Sequence, residues 1–382
     1  MKKFFCVLLS VLIITTPYKK TSALGVSAQF ACVIDAMTGN VLYEKNAYKK
    51  HSMASTTKIM TALVALENSS LNDIVTASAN AAGTEGSSIY LKPGEEITME
   101  DLLYGLMLAS GNDAAIAIAE HVGGDVETFA RMMTKKAKEI GAKNTSFKNP
   151  NGLDAEGHFT TAYDLALITR YAMQNDKFKE IVSSKTKTIS NGTENYKRTL
   201  TNHNKLLNQY PDCIGVKTGF TKKTGRCLVS AAEKNGFRVI CVTLNAPDDW
   251  NDHKNMLNFA FDTYKAKPLI IKDMILKTIP VENGSSHRLE LLADSDYYIT
   301  LTSESVLSDI KLDYKTPSKI KAPIKKGEQI GSISIYYKDI FLKEINLLSG
   351  IDIEYVEPPE PTFKDILKKI IMRVVGLKIY LD

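Results

Sequence analysis

Between Cys227 and Leu244 the hydrophobic pattern of this chain changes period, and that change limits the folds open to it. Two nearly continuous apolar runs, Cys227-Leu-Val-Ser-Ala-Ala232 and Phe237-Arg-Val-Ile-Cys-Val-Thr-Leu244, flank Asn235-Gly236. That is the composition of two adjacent buried strands joined by a tight turn. Upstream the spacing is helical. Ile59, Met60, Leu63, Val64 and Leu66 follow Ser55 at intervals of three and four, predicting a helix with one buried face. Leu102, Leu103, Leu106 and Met107 follow the cap-like Thr98-Met-Glu-Asp101, and Ala114, Ala117, Ile118 and Val122 form the next stripe. Further helices are expected over 126–140 and 162–174. Before all of these, Gln29 to Asp35 and Val41 to Glu44 read as a hairpin around Met37-Thr-Gly-Asn40, and Lys254 to Tyr264 reads as a closing helix. The order strand, helices, strands, helix predicts an α+β body: an antiparallel sheet flanked by its N- and C-terminal helices, with a helical insertion between.

The remaining segments divide the chain. Residues 73–96 hold Gly83, Gly86 and Pro93-Gly94 and are expected to be mostly loop with short strands. From Ala266, short alternations such as Ile310-Lys-Leu-Asp-Tyr314 and Ile330-Gly-Ser-Ile-Ser-Ile-Tyr336 take over, punctuated by Gly284, Pro317, Pro323 and Gly327. They predict a small all-β domain over 266–356, after a catalytic domain over 24–265. Glu357-Pro-Pro-Glu-Pro361 opens a stiff linker, and residues 357–382 end in an amphipathic helix. Its apolar face carries Phe363, Ile366, Leu367, Ile370, Ile371, Val374, Leu377 and Leu381, with lysines and Arg373 opposite. The charges forbid spanning, so this helix is expected to lie in an anionic membrane surface. At the other end, Lys2 and Lys3, the apolar run from Phe4 to Ile14 and Thr21-Ser-Ala23 read as a signal peptide over 1–23. Cleavage after Val26-Ser-Ala28 is the competing choice.

Charge bears on partners. The 382 residues carry a formal +5, but Lys2, Lys3, Lys19 and Lys20 leave with the signal. The last 21 residues hold a local +3, so the body between is slightly acidic. A nucleic-acid partner is excluded; the basic excess sits at the two ends that meet membranes. Cys32, Cys213, Cys227 and Cys241 remain after export, and such sparse cysteines in a large domain are expected to be buried free thiols. No Cys/His spacing fits a metal and no glycine-rich loop fits a phosphate, so no metal or cofactor is expected.

The chemistry concentrates in three short motifs. Ser55-Thr-Thr-Lys58 places a serine and a lysine on one helix face, close enough for the amine to reach the hydroxyl. A desolvated, neutral lysine can take the serine proton, and a helix start favours developing negative charge. Ser110-Gly-Asn112 lies at the break between two helices, and Lys217-Thr-Gly219 opens a strand. Each motif alone is weak. In this order, each at an element boundary, they reinforce one another.

This set is similar to that of the penicillin-binding proteins and class A β-lactamases. With Met53-Ala-Ser-Thr-Thr-Lys58, Leu108-Ala-Ser-Gly-Asn-Asp-Ala114 and Gly215-Val-Lys-Thr-Gly-Phe220, the chain resembles the low-molecular-mass penicillin-binding proteins, the D-alanyl-D-alanine carboxypeptidases. The resemblance covers signal, catalytic domain of the serine β-lactamase/DD-peptidase type, all-β domain and terminal anchor. It implies that Ser55 attacks the bond between two D-alanines of peptidoglycan pentapeptide stems, and that β-lactam antibiotics acylate the same serine. Lys58 is then the general base, Ser110 relays a proton to the leaving amine, and Asn112 holds the substrate amide and Lys58. Lys217 supplies positive charge and Thr218 meets the terminal carboxylate, with Gly219 between them and Phe220. The backbone N–H groups of Ser55 and Phe220 form the oxyanion hole. The enzyme is expected at the outer face of the cytoplasmic membrane. Asn151 stands where several relatives have histidine, and His203 where some have arginine; by residue type alone both read as surface loop positions. His158 and His253 are given no catalytic role. A secreted β-lactamase shares the motifs but needs a glutamate, and no Glu-x-x-Leu-Asn lies between Ser110 and Lys217. A non-catalytic wall-binding protein leaves the three intact motifs unexplained.

Overall fold

A computed structural model describes residues 24–191, 194–264, 266–300 and 309–358, with scattered positions between 360 and 370. The segments expected to form the signal peptide and most of the terminal helix lie outside the described residues. Strands β1 (Phe30–Asp35) and β2 (Val41–Lys45) form the expected hairpin. With β3 (Cys213–Thr221), β4 (Gly225–Lys234) and β5 (Phe237–Leu244) they build a five-stranded sheet in the order β2-β1-β5-β4-β3, antiparallel throughout. Sequence-distant β1 and β5 pair from Phe30 with Leu244 to Asp35 with Val239, so the hairpin and the last strands close one sheet. Asn235 and Gly236 turn between β4 and β5 with φ of 51° and 75°, the left-handed pair a two-residue hairpin requires.

Both faces of the sheet are covered, which explains why its central strands lack polar alternation. Cys32, Ile34, Ile240 and Val242 point into the larger core, which holds the helices; Ala31, Val33, Val239 and Cys241 point into a second core. The first face is covered by α1 (Lys58–Asn68) and the helices around it: α2 (Met99–Leu108), α3 (Asn112–Gly123), α4 (Val126–Ile140), α5 (Ala162–Ala172) and α6 (Asp176–Ser183). The second face is covered by α7 (Asp249–Thr263), through Met256, Leu257, Ala260 and Phe261. Helix α1 departs from its expected single buried face. Every residue from Lys58 to Ala65 is buried, because the insertion wraps the side that the sheet leaves open. Thr98 caps α2, its hydroxyl accepting from the Asp101 N–H at 3.2 Å. Helix α6 and the hairpin Thr186–Asn191/Glu194–Thr201 are elements that the sequence pattern does not resolve.

All four described cysteines are buried free thiols, and burial pushes the Cys213 thiol up to about 11 and that of Cys227 to about 12. His253 is equally inert. Its ring lies between the hydroxyls of Ser230 (2.6 Å) and Thr243 (3.0 Å), tying α7 to the sheet.

The C-terminal part is a six-stranded sheet ordered Ile310–Lys315, Gln329–Tyr337, Ile340–Ser349, Arg288–Ala293, Ile275–Glu282, Ile320–Lys321, antiparallel except for its last pair. Ile279, Leu289, Leu291, Ile333, Ile345 and Leu347 form its own core. Met37, at the tip of the β1–β2 hairpin, packs onto that core. Arg170 holds the tip in place, donating to the carbonyls of Ala36 (3.0 Å) and Met37 (2.5 Å).

Candidate active site

Ser55 lies in a short 3-10 turn, Ala54–Thr57, that precedes α1, rather than in the first turn of the α-helix itself. Two glycines allow other segments to close on this turn. A Cβ at Gly219 of β3 would stand 3.0 Å from the backbone nitrogens of both Ser55 and Thr56. A Cβ at Gly152, whose φ is +89°, would stand 2.0 Å from the Ala54 carbonyl oxygen. The serine is therefore held between a sheet edge and the 149–154 loop, with backbone on both sides.

Lys58 is fully buried beneath it. Its Nζ lies 3.0 Å from Ser55 Oγ, 2.7 Å from Asn112 Oδ1 and 2.6 Å from the Asn151 carbonyl. Burial first, and the Lys217 charge second, pull its pKa well below the ordinary lysine value, against the opposing field of Asp113. A neutral amine has two N–H donors, which the Asn112 and Asn151 oxygens can accept. Its lone pair is then left for the Ser55 hydroxyl. This is the arrangement a proton acceptor needs.

The Ser110 break is equally constrained. Ser110 has φ of +61° and is 5% exposed, and Asn112 opens α3. The Asn112 Nδ2 donates to the Glu85 carbonyl at 2.7 Å, which fixes the amide so that Oδ1 faces Lys58. Asp113, which sequence reasoning missed, gathers the 88–91 loop. Its carboxylate accepts from the Ser88 hydroxyl (2.6 Å) and from the N–H groups of Ile89 (3.1 Å) and Leu91 (3.0 Å). The signal that could have found it is a carboxylate at the start of an apolar stripe, where only a paired charge survives burial.

One residue-type reading is corrected, and the other holds at a position that faces the cleft. Asn151 is no surface position: it is 4% exposed, its carbonyl accepts from Lys58, and its Oδ1 accepts from the Leu153 N–H at 3.0 Å. His203 is exposed, yet it lines the cleft in front of Ser55. The surrounding protein and the Lys217 charge lower its pKa. His158 is buried and structural. Its Nδ1 accepts from the Lys148 N–H at 3.0 Å, so Nε2 carries the proton toward Thr57 Oγ1 at 2.8 Å. Burial pulls its pKa down to about 4.

The cleft has a volume of about 340 Å³. Ser55, Ser87, Ser110, Thr218, Gly219 and Phe220 are among the residues that line it. Lys217 does not line it. Its side chain is 1% exposed, donates to the Thr218 carbonyl at 3.1 Å, and is pulled by burial to about 7. Side chains alternate along a strand, so Lys217 and Gly219 face the Ser55 turn while Thr218 and Phe220 face the other way. Sequence reasoning missed Lys205, Arg226, Asp249 and Trp250, which also line the cleft.

Comparison with known proteins agrees with this geometry. Residues 17–248 match the family model described as D-alanyl-D-alanine carboxypeptidase, and residues 264–355 match the C-terminal domain of penicillin-binding protein 5. The D-alanyl-D-alanine carboxypeptidase DacF of Bacillus subtilis is 38% identical over 323 residues, 82% of this chain and 83% of the relative. DacC of Escherichia coli is 34% identical over 325 residues, 81% of this chain and 80% of the relative. Among solved structures, penicillin-binding protein 5 from Haemophilus influenzae superposes with a TM-score of 0.61 at 27% identity, covering 86% of this chain and 98% of that one. The chain thus belongs to the D-alanyl-D-alanine carboxypeptidase family of serine peptidases.

Proposed function

We propose that the cleft removes the terminal D-alanine from peptidoglycan pentapeptide stems through an acyl-enzyme on Ser55. The observation that carries this is the buried Lys58 amine, 3.0 Å from Ser55 Oγ and depressed in pKa. Ser55 Oγ bonds to the carbonyl carbon between the two D-alanines as Lys58 takes its proton. The C–N bond then breaks, and the proton passes through Ser110 to the leaving amine. Asn112 orients Lys58 and the substrate amide, while Lys217, Thr218, Gly219 and Phe220 form the edge along which the peptide lies. The N–H groups of Ser55 and Phe220 face the developing oxyanion. Water then releases the shortened peptide from Ser55, with Lys58 the nearest base. β-Lactams follow the first half of this course and stop at the acyl-enzyme.

The enzyme works outside the cell, held peripherally at the outer face of the cytoplasmic membrane by its terminal helix. Among the described residues no helix is long and apolar enough to cross a membrane. The test offers the purified protein a pentapeptide ending in D-Ala-D-Ala and, separately, a labelled penicillin. D-Alanine release with slow penicillin turnover is expected, and Ser55→Ala loses both release and label while keeping its fold. Rapid penicillin turnover would make the protein a β-lactamase instead; covalent labelling of Ser55→Ala would displace the nucleophile.

A further inference from the structure

Three groups of the proposed reaction come from three separate segments. Ser55 lies in the turn before α1, the Asn151 carbonyl that meets Lys58 belongs to the 149–154 loop, and the Phe220 N–H comes from the end of β3. No local sequence ties these segments together, so their mutual placement depends on contacts between them. The close approaches at Gly152 and Gly219 limit how near the segments come. A steric limit alone does not stop them from separating or sliding.

One buried residue joins all three. Thr224, fully buried in the turn between β3 and β4, uses every polar group it has. Its Oγ1 lies 2.7 Å from Ser52 Oγ and 3.2 Å from Asp154 Oδ1. Its carbonyl accepts from His51 Nε2 at 3.0 Å, and its N–H donates to Thr221 Oγ1 at 3.0 Å. Thr221 in turn donates to the same Asp154 oxygen at 3.2 Å. His51 is itself tied down, exchanging backbone bonds of 2.8 Å and 2.9 Å with Thr160. Each anchor stands close in sequence to the group it serves: Ser52 three residues before Ser55, Asp154 three after Asn151, and Thr224 four after Phe220. So short a segment has few soft torsions with which to absorb a shift at its anchor. None of Ser52, Asp154 and Thr224 lines the cleft, so these contacts act on the site without meeting substrate.

We infer that Thr224 and Asp154 are positioning residues, a clasp that holds the serine turn, the Asn151 carbonyl and the Phe220 N–H in one reactive register. This rests on the Ser55 acyl-enzyme reading and names what sets its geometry. Loosening the clasp leaves the cleft able to admit a ligand but misaligns Ser55 with its base and its oxyanion donors. The loss then falls on acylation rather than on binding.

The test follows labelled penicillin on the purified protein. It separates the acylation rate at saturation from the half-saturating concentration and from the final labelled fraction. Wild type is compared with Thr224→Val, Thr224→Ser, Asp154→Ala and the double variant Thr224→Val/Asp154→Ala. Valine keeps the shape of threonine and removes only the hydroxyl. Thr224→Val is expected to lose roughly ten- to a hundredfold in the saturating rate, the scale of a small misplacement of reacting groups. Its half-saturating concentration changes little, and every molecule is still labelled at completion. Thr224→Ser keeps the hydroxyl and recovers most of the rate. Asp154→Ala loses less than Thr224→Val, because Ser52 and His51 still hold Thr224. The double variant loses less than the product of the two single losses, since both act through one contact. A merely structural role predicts a lower melting temperature or a smaller labelled fraction at an unchanged rate, and that result would overturn the assignment. So would Thr224→Ser labelling as slowly as Thr224→Val. Where Thr224→Val does not fold, Asp154→Ala, at an exposed position, carries the test, and a wild-type rate there overturns the proposal. A wild type that takes no label would instead remove the Ser55 reading on which the clasp rests.

Discussion

Lys58 and Lys217 share one buried region, and their charges oppose each other. Burial takes Lys217 to about 7, and Lys58, buried and facing that charge, falls well below its ordinary value. The base works only when neutral, so activity rises as pH climbs through the Lys58 pKa. Removing the Lys217 charge removes one of the two forces holding that pKa down. Lys217→Gln is therefore expected to move the acidic limb of the kcat/KM profile to higher pH, with the largest loss at low pH and recovery on the alkaline side. An unmoved limb, with uniform loss at all pH values, would mean that Lys217 does not act through Lys58. The lysine pair was legible in the sequence because each lysine sits in a recognisable motif, although Lys217 lies in the middle of β3 rather than opening it as expected. Asp113 was not, because its role depends on contacts with loop 88–91 that no local spacing encodes.

At the scale of elements, the catalytic turn exists because the segments around it are shaped to admit it. The 149–154 loop carries Gly152 against Ala54, delivers the Asn151 carbonyl to Lys58, and accepts the Thr61 hydroxyl of α1 at the Pro150 carbonyl, 2.6 Å away. Asn149 closes it, with its side chain bonded to the Gly152 N–H (2.7 Å) and the Leu153 carbonyl (2.9 Å). Gly152→Ala meets a positive φ and a 2.0 Å approach to backbone. Strain of this kind costs on the order of 1–3 kcal/mol, and the collision adds to it. The variant is expected to acylate with penicillin far more slowly and to melt several degrees lower, while Gly94→Ala, an open site with the same sign of φ, melts lower without losing its acylation rate. Equal acylation by Gly152→Ala and wild type would show that the loop does not set the serine turn. Turn composition revealed this loop in the sequence. Its burial was invisible there, since a polar loop normally stays at the surface, and it is Lys58 and Thr61 of α1 beneath it that give its carbonyls a reason to turn inward.

At the scale of the molecule, the sheet-and-helix body and the C-terminal sheet each have their own apolar interior, while the terminal segment is expected to find one in lipid. The sheet-and-helix body and the C-terminal sheet were each readable from hydrophobic period, because each buries its own apolar set. Their junction was not readable, since Met37 looks like an ordinary turn residue until it is seated on the C-terminal core. Among the described tail residues, Phe363, Ile366, Leu367 and Ile370 are exposed. A face of eight large apolar residues in the tail sequence, each contributing roughly 1.5–3 kcal/mol when fully buried before ordering costs, favours insertion into a lipid interface. Its five cations add about 1 kcal/mol each near an anionic surface, and salt weakens that part. Apolar burial therefore dominates. Deleting 362–382 is expected to give a soluble enzyme with unchanged activity on a short peptide, whereas the intact chain stays with membranes in high salt and leaves them in detergent. Fractionation of cells expressing each form decides the matter. Complete release of the intact protein by salt alone would assign the tail to electrostatic contact rather than insertion. An intact protein that is soluble in low salt would place the apolar face against protein instead.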